Sequence, residues 1–396
     1  MLVTDAAHDR SDPTTAPLST VAREWTRIGV TGFGGPPAHV ALLRRLMVDR
    51  RRWMDAHEFE DANAACGLLP GPASTQLAIF CAYRVGGPLG AILGGIGFIL
   101  PAVILVLALS ALFFGQAPPL WVRGAGAGAG AAVAAVAVDA GLSLLRPSFE
   151  RVRADRARRA RWIGYIAAAA AGAALIGPYL VLVLLACGLV EFALQRRPAV
   201  VPSLHWAPLA ALAPKAVAVG GLGALCWTAF KVGALSYGGG FVIIPLMQGD
   251  AVDTYHWMTN TEFLNAVALG QVTPGPVVAT IAAVGYAAHG LGGGLLAAAV
   301  AFTPSFSFIL LGGRRFRRLR KNAGARAFLD GAGPAAIGAI LGASITLALV
   351  LRETWQFGVL AAAAIALLAL RQGVVATLLG AGAIGVVIAL AGGPLP

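Results

Sequence analysis

The sequence predicts an all-α polytopic membrane protein: two inverted-topology repeats of about five transmembrane helices each, with discontinuous or re-entrant helices at glycine- and proline-rich motifs. Three observations carry that expectation. Of 396 residues, 58% are hydrophobic and 12% charged, against roughly 25% charged in a soluble domain. Arg27–Pro72 aligns without gaps on Lys231–Pro276 at an offset of 204, with 15 of 46 positions identical, which marks an internal duplication. Finally, the charge of equivalent connections alternates between the halves.

Residues 1–20 are polar, carry no apolar export segment, and read as a disordered cytoplasmic or terminal tail. The N-terminal repeat covers 21–197. Its first segment, Trp25 to Val48, is interrupted by Gly32-Phe33-Gly34-Gly35-Pro36-Pro37, with His39 following. Proline removes a backbone donor and glycine weakens a helix, so this segment is either broken or re-entrant. The arginine-rich connection Arg44 to Arg52 leads through Trp53 and Glu58 into a helix holding Pro70-Gly71-Pro72. Apolar tracts near Ala91 to Phe114 and Leu120 to Leu145 are each long enough for the ~20 residues a span needs. After the charged stretch Arg146 to Arg161, the tract Trp162 to Leu194 is divided by Gly177-Pro178.

A polar linker, 198–220, precedes the C-terminal repeat, 221–396. There the motifs return as Gly238-Gly239-Gly240, Trp257-Met258, Glu262-Phe263 and Pro274-Gly275-Pro276, followed by apolar tracts Gly293 to Leu311, Ala335 to Leu351 and Phe357 to Leu390. The connection bearing Arg44, Arg45, Arg50, Arg51 and Arg52 is matched by one with Asp250 and Asp253 and no basic residue. The neutral Gly115–Pro119 is matched by the basic run Arg314 to Lys321, and the basic Arg146–Arg161 by a connection where Arg352 adjoins Glu353. Because positive connections stay cytoplasmic, equivalent loops lie on opposite sides and the halves are inverted.

Opened backbone inside a bilayer must face protein, water or a solute. A helix that restarts there offers unpaired N–H groups and a partial positive charge, a ready anion site. The candidate binding residues are therefore those at and beside the breaks: Gly34, Gly35, His39, Pro70, Gly71, Pro72, Thr75 and Gln76 in the first half. In the second they are Gly238, Gly239, Gly240, Gln271, Thr273, Pro274, Gly275 and Pro276. Arg27 and Lys231 occupy equivalent positions and suit a negatively charged solute, unless they snorkel to an interface. Glu58, Glu262 and Arg84 are coupling candidates; for the two glutamates a helix-capping role is the plainer account. Asp139 and Asp330 are the acids closest to apolar tracts, with no obvious partner.

No phosphate-loop motif supplies a site for nucleotide hydrolysis. Scattered Cys66, Cys81, Cys187 and Cys226 indicate neither a metal knuckle nor a disulfide framework. No metal, cofactor or nucleic-acid partner is expected, and no nucleophile–base set points to an enzyme. The bilayer is the expected environment. A homodimer is an option, with the small-residue face Gly124 to Gly130 suited to packing between protomers.

Gly32-Phe33-Gly34-Gly35-Pro36 with His39, Leu69-Pro70-Gly71-Pro72 with Thr75-Gln76, Ser236-Tyr237-Gly238-Gly239-Gly240 with Pro245, and Gly270-Gln271-Val272-Thr273-Pro274-Gly275-Pro276 together resemble the chromate ion transporter (CHR) family in its long-chain two-domain form. The resemblance spans Trp25 to Leu390. It implies a secondary exporter of chromate across the bacterial cytoplasmic (inner) membrane, conferring resistance and driven by the membrane potential or a proton gradient. The residues themselves support a small oxyanion. Sulfate is a tetrahedral dianion of similar size, so a sulfate or other oxyanion carrier, or a passive anion channel, remains the alternative.

Overall fold

The structure, a computed structural model, describes residues 15–67, 69–115, 117–175, 180–195, 220–236, 241–312 and 323–396. Gly177-Pro178, linker residues 198–219, Gly238, Gly239, Gly240 and the basic run Arg314 to Lys321 lie outside the described residues, as does most of the expected tail. Among the described residues there are fourteen α-helices and no strand.

In the first half these are α1 (Leu18–Thr31), α2 (Gly35–Arg44), α3 (Ala56–Cys66), α4 (Ala73–Phe113), α5 (Leu120–Glu150), α6 (Arg156–Leu175) and α7 (Leu180–Gln195). In the second they are α8 (Leu222–Leu235), α9 (Ile243–Gln248), α10 (Asn260–Val272), α11 (Ile281–Gly312), α12 (Ala323–Leu349), α13 (Thr354–Ala364) and α14 (Val374–Leu390). Because α1 begins at Leu18 and the Ala16 amide bonds the Val85 carbonyl, ordered chain starts ahead of the boundary expected at residue 20. The tract Phe357 to Leu390 is two helices, parted after a π-helical turn, Ile365–Ala369, with Arg371 at positive φ.

The duplication reaches into backbone detail. The π-helical turn Arg45–Arg50 recurs as Gly249–Thr254, and the positive-φ residue Arg52 as His256. The Trp53 and Met54 amides both bond the Met47 carbonyl, just as Trp257 and Met258 bond that of Ala251. Asp55 and Thr259 each cap the following helix by accepting from the amide three residues on.

The interrupted segments resolve as helical hairpins. Glu24 of α1 pairs with Arg50 and Arg51, which follow α2, and Trp25 stacks on Trp53 at 6.5 Å, so α2 returns alongside α1. Arg84 meets Glu58 at 2.8 Å, bringing the far end of α4's first segment back to the start of α3. The chain then reverses within α4 at Gly87 (φ 64°, ψ −158°). A Cβ on Gly90 would lie 2.6 Å from the Ala82 carbonyl oxygen, whereas eight residues of straight helix span ~12 Å at 1.5 Å each. Gly290 (φ 62°, ψ −157°) repeats the reversal in α11, folding Gly285 against Gly293.

Among the described residues, four helices are long and apolar enough to cross a membrane: α4 and α11, each counted through its reversal and α11 with the short 3₁₀ turn before it, together with α5 and α12. In α4 the stretch after the reversal, from Pro88 to Phe113, meets the ~20-residue requirement alone. The equivalent helices α4 and α11 run antiparallel, and α5 packs on α12. Gly95 of α4 meets Phe306 of α11 while Gly294 of α11 meets Leu107 of α4, and Gly141 of α5 rests on Leu341 of α12.

The halves interlock: α14 and α13 pack on α5, while α6 and α7 pack on α12. Small residues make this possible by letting backbones touch. Gly124 and Gly128 of α5 sit on the backbone of Gly385 and Ala381, and Gly126 and Gly130 receive Asn265. The Gly124–Gly130 face suggested for protomer contact is therefore consumed inside the chain, a correction that follows from the second half supplying the matching small residues.

Candidate functional site

Three described hairpin tips meet in the core: Gly32–Gly35 between α1 and α2, Pro70–Pro72 between α3 and α4, and Pro274–Pro276 between α10 and α11. The Gly275 amide donates to the Gly32 carbonyl at 3.0 Å, tying the last tip to the first. His39 is fully buried and donates from Nε2 to the same carbonyl at 2.9 Å. A carbonyl can only accept, so Nδ1 of the neutral ring is the acceptor, 3.4 Å from the Ser74 hydroxyl in the first turn of α4. One imidazole thus bridges the first tip to the second.

Gly71 (φ 113°) and Gly275 (φ 103°) turn their tips in a conformation that costs an L side chain about 1–2 kcal/mol. Each also crosses to the other half. A Cβ on Gly71 would stand 2.7 Å from Gln76 Nε2 and 3.1 Å from the Gly233 carbonyl, and one on Gly275 would stand 2.8 Å from Ala102. The Pro-Gly-Pro tips are therefore wedged against the opposite repeat.

Around these tips lie side-chain atoms that are buried and have no hydrogen-bond partner among the described residues: Thr75 Oγ1, Gln76 Oε1, Ser236 Oγ, Gln271 Nε2 and Ser305 Oγ, with Ser110 Oγ and Asn265 Oδ1 the other two such atoms. Thr75, Gln76, Ser236 and Ser305 are fully buried, and Gln271 is 9% exposed. Leaving such a group unpaired costs about 1–3 kcal/mol, so five in one region is a concentration that packing alone does not favour. Ser305 adjoins the Gly71 tip, and Gln76 donates from Nε2 to the Pro70 carbonyl at 2.7 Å. The helix restarting at Ala73 has no side-chain cap, so its first amides face the same region.

The remaining sequence candidates divide. Thr273 (5% exposed) reaches back to the Gly270 carbonyl at 3.4 Å, beside the third tip. The first tip offers fewer donors than a helix start usually does, because Pro36 and Pro37 follow Gly35 and lack N–H groups. Arg27 is exposed. Lys231 is bound to the buried carboxylate of Asp250 at 2.6 Å, which also accepts from Thr228, and lies over the Trp227 ring. Neither expected cation therefore presents an uncompensated charge to the tips. Glu58 and Arg84 pair with each other, and Glu262 completes a capping box with Thr259. Ser74, Ser236 and Ser305 escaped the sequence reading as site residues. Ser74 and Ser236 directly flank the motifs, whereas Ser305 is brought in only by the fold. Among the described residues no cluster of metal-binding side chains occurs.

Helical hairpins meeting around partnerless polar groups, in a chain with helices long and apolar enough to cross a membrane, point to a polytopic membrane transport protein. The chain belongs to the chromate transporter family, whose description, "Chromate transporter", matches residues 19–205 and 223–386. It is 31% identical to a chromate transport protein of Cupriavidus metallidurans over 345 residues, 84% of each chain. It is also 31% identical to a chromate transport protein of Pseudomonas aeruginosa, over 88% of this chain and 85% of that one. An uncharacterized transporter of Methanocaldococcus jannaschii is 26% identical over 80% of each. No solved structure matches the chain.

Proposed function

We propose that the chain is a secondary active exporter of chromate across the bacterial cytoplasmic membrane, conferring chromate resistance and driven by the membrane potential or a proton gradient. The oxyanion is held at the meeting of the tips. Thr75, Ser236, Gln271 and Ser305 supply the neutral donors, together with the second Nε2 hydrogen of Gln76 and the first amides of α4. The observation that carries this reading is the concentration of buried, partnerless polar atoms where the two repeats cross. Hydroxyl and amide donors suit a tetrahedral dianion, and alternating access between inverted repeats moves it.

The two halves, 21–197 and 221–396, act as the inverted units, with the arginine-rich connections on the cytoplasmic side. Such donors do not by themselves separate chromate from sulfate, so sulfate is the informative competitor. Uptake of labelled chromate into inverted membrane vesicles tests the reading, with sulfate added in one arm and an uncoupler in another. Saturable uptake that stops with the uncoupler supports a coupled exporter. Uptake of sulfate in preference to chromate reassigns the substrate, and a non-saturating, potential-driven current makes the protein a channel.

A further inference from the structure

A cavity of about 160 Å³ lies against the Pro70–Pro72 tip, bounded by Gly67 and Ala73 on either side of that tip and by Ser148, Arg151, Leu329 and Asp330 farther out. It extends from the end of α5 inward to the point where α4 restarts. Arg151, which is exposed, belongs to the connection Arg146 to Arg161, the most arginine-rich stretch of the first half. The equivalent place in the second half holds packed side chains. There Gln356, 3% exposed, donates to the Ala127 carbonyl at 3.3 Å, Asn265 rests on Gly126 and Gly130, and Gln271 and Val277 are buried beside the Pro274–Pro276 tip. Two pseudo-equivalent grooves thus differ: one is open and carries an arginine, the other holds packed amides.

From this difference we infer that the cavity at Arg151 is the cytoplasmic mouth through which a small oxyanion reaches the first Pro-Gly-Pro tip, and that the structure is in the state open to that side. The inference rests on the oxyanion-carrier reading above. A guanidinium at the rim concentrates anions, while Asp330 opposes them and is held at the rim by Gln195, whose amide donates to it at 3.1 Å. Because the rim carries charges of both signs, the balance between Arg151 and Asp330 sets how strongly an anion is drawn in. The opposing charges make the rim residues act in opposite directions, which a purely structural role does not.

The test combines side-specific labelling with transport. Leu329→Cys, placed in a Cys226→Ser background because Cys226 is half-buried, is labelled with a membrane-impermeant thiol reagent in inside-out and right-side-out vesicles, against that background alone, whose Cys66, Cys81 and Cys187 are buried. Labelling from the cytoplasmic face, slowed several-fold by chromate or sulfate, is expected. In transport, Arg151→Gln should raise the half-saturating oxyanion concentration by about threefold, as loss of the attracting charge beside an opposing carboxylate predicts. Arg151→Lys should retain most of the wild-type value, and Asp330→Asn should lower it. Labelling confined to the outer face, labelling indifferent to either anion, or Arg151→Gln and Asp330→Asn weakening capture alike overturns the inference. Wild-type vesicles that move no oxyanion refute the carrier reading instead, and the sidedness of labelling still decides where the cavity opens.

Discussion

The two halves of this protein share a backbone and differ in what they hang on it. Gly71 and Gly275 turn at nearly the same φ, Gly87 and Gly290 reverse their helices at nearly the same dihedrals, and Arg52 and His256 both end a π-helical turn at positive φ. The polar complement does not follow. His39 answers to Ile243, Ser74 to Val278, Thr75 to Ala279 and Gln76 to Thr280. In the other direction, Ser236 answers to Gly32 and Gln271 to Gly67. The partnerless polar groups of the first half lie after its Pro-Gly-Pro tip, and those of the second half, Ser305 apart, before its own. Because each tip is wedged against the other repeat, the two incomplete sets border one region. Duplication supplied the geometry, and divergence made the polar complement asymmetric.

That comparison breaks most sharply if the shared backbone is not required in both halves. Gly71→Ala and Gly275→Ala should each reduce chromate transport below detection. Each adds about 1–2 kcal/mol of left-handed strain and drives a Cβ into the opposite repeat. Transport surviving in either variant, with the protein still in the membrane, removes the premise that the tips are equivalent.

A second contrast concerns the buried charges that anchor the hairpins. Asp250→Ala leaves Lys231 without its partner in a buried setting and should cost about 3–5 kcal/mol. Glu24→Gln should cost less, because Arg50 and Arg51 are more than a third exposed and remain hydrated. Thermal unfolding of the two purified variants in detergent, compared with the wild type, measures the difference. Equal losses would mean that the anchors are equivalent despite their reversed charges.

The polar divergence makes the finer prediction. Gln76→Ala should lower transport about tenfold, the equivalent of 1.4 kcal/mol, without loss of membrane protein. Thr280→Ala at the matching position should change it less than about threefold, since that hydroxyl is already satisfied by the Val277 carbonyl at 2.7 Å. Initial rates in vesicles normalised to protein content compare the two. If Thr280→Ala is the more damaging, the site belongs to the second half.

Much of the architecture was legible in the sequence because it follows from short-range rules. Pro70-Gly71-Pro72 and its repeat had to open a helix, and an offset of 204 pairs Trp53-Met54 with Trp257-Met258 in the sequence and in their hydrogen bonds. The choice between a broken segment and a hairpin was not legible. It turns on Glu24 meeting Arg50 and Arg51, and on Arg84 meeting Glu58, contacts between residues 26 and 27 apart that no local propensity encodes. Charge was misleading for a related reason. Arg27 and Lys231 align as a repeat pair, but Asp250 stands where the first half has Leu46, so only the folded chain reveals that Lys231 is neutralised. The small-residue face Gly124 to Gly130 likewise met its partner inside the chain, on α14.

By itself, then, the sequence determined that the chain is helical, lies in a membrane, is duplicated, and opens its backbone at matched places. Hydropathy, proline and glycine chemistry and loop charge act residue by residue and leave a direct imprint. Only the tertiary structure decided that the openings are hairpin tips, that each tip seats in the opposite repeat, and that Ser305, far from every motif, joins Gln76 beside Gly71. Those outcomes depend on which helices pack together, and that is settled by shape complementarity between distant small residues, which no single stretch of sequence contains.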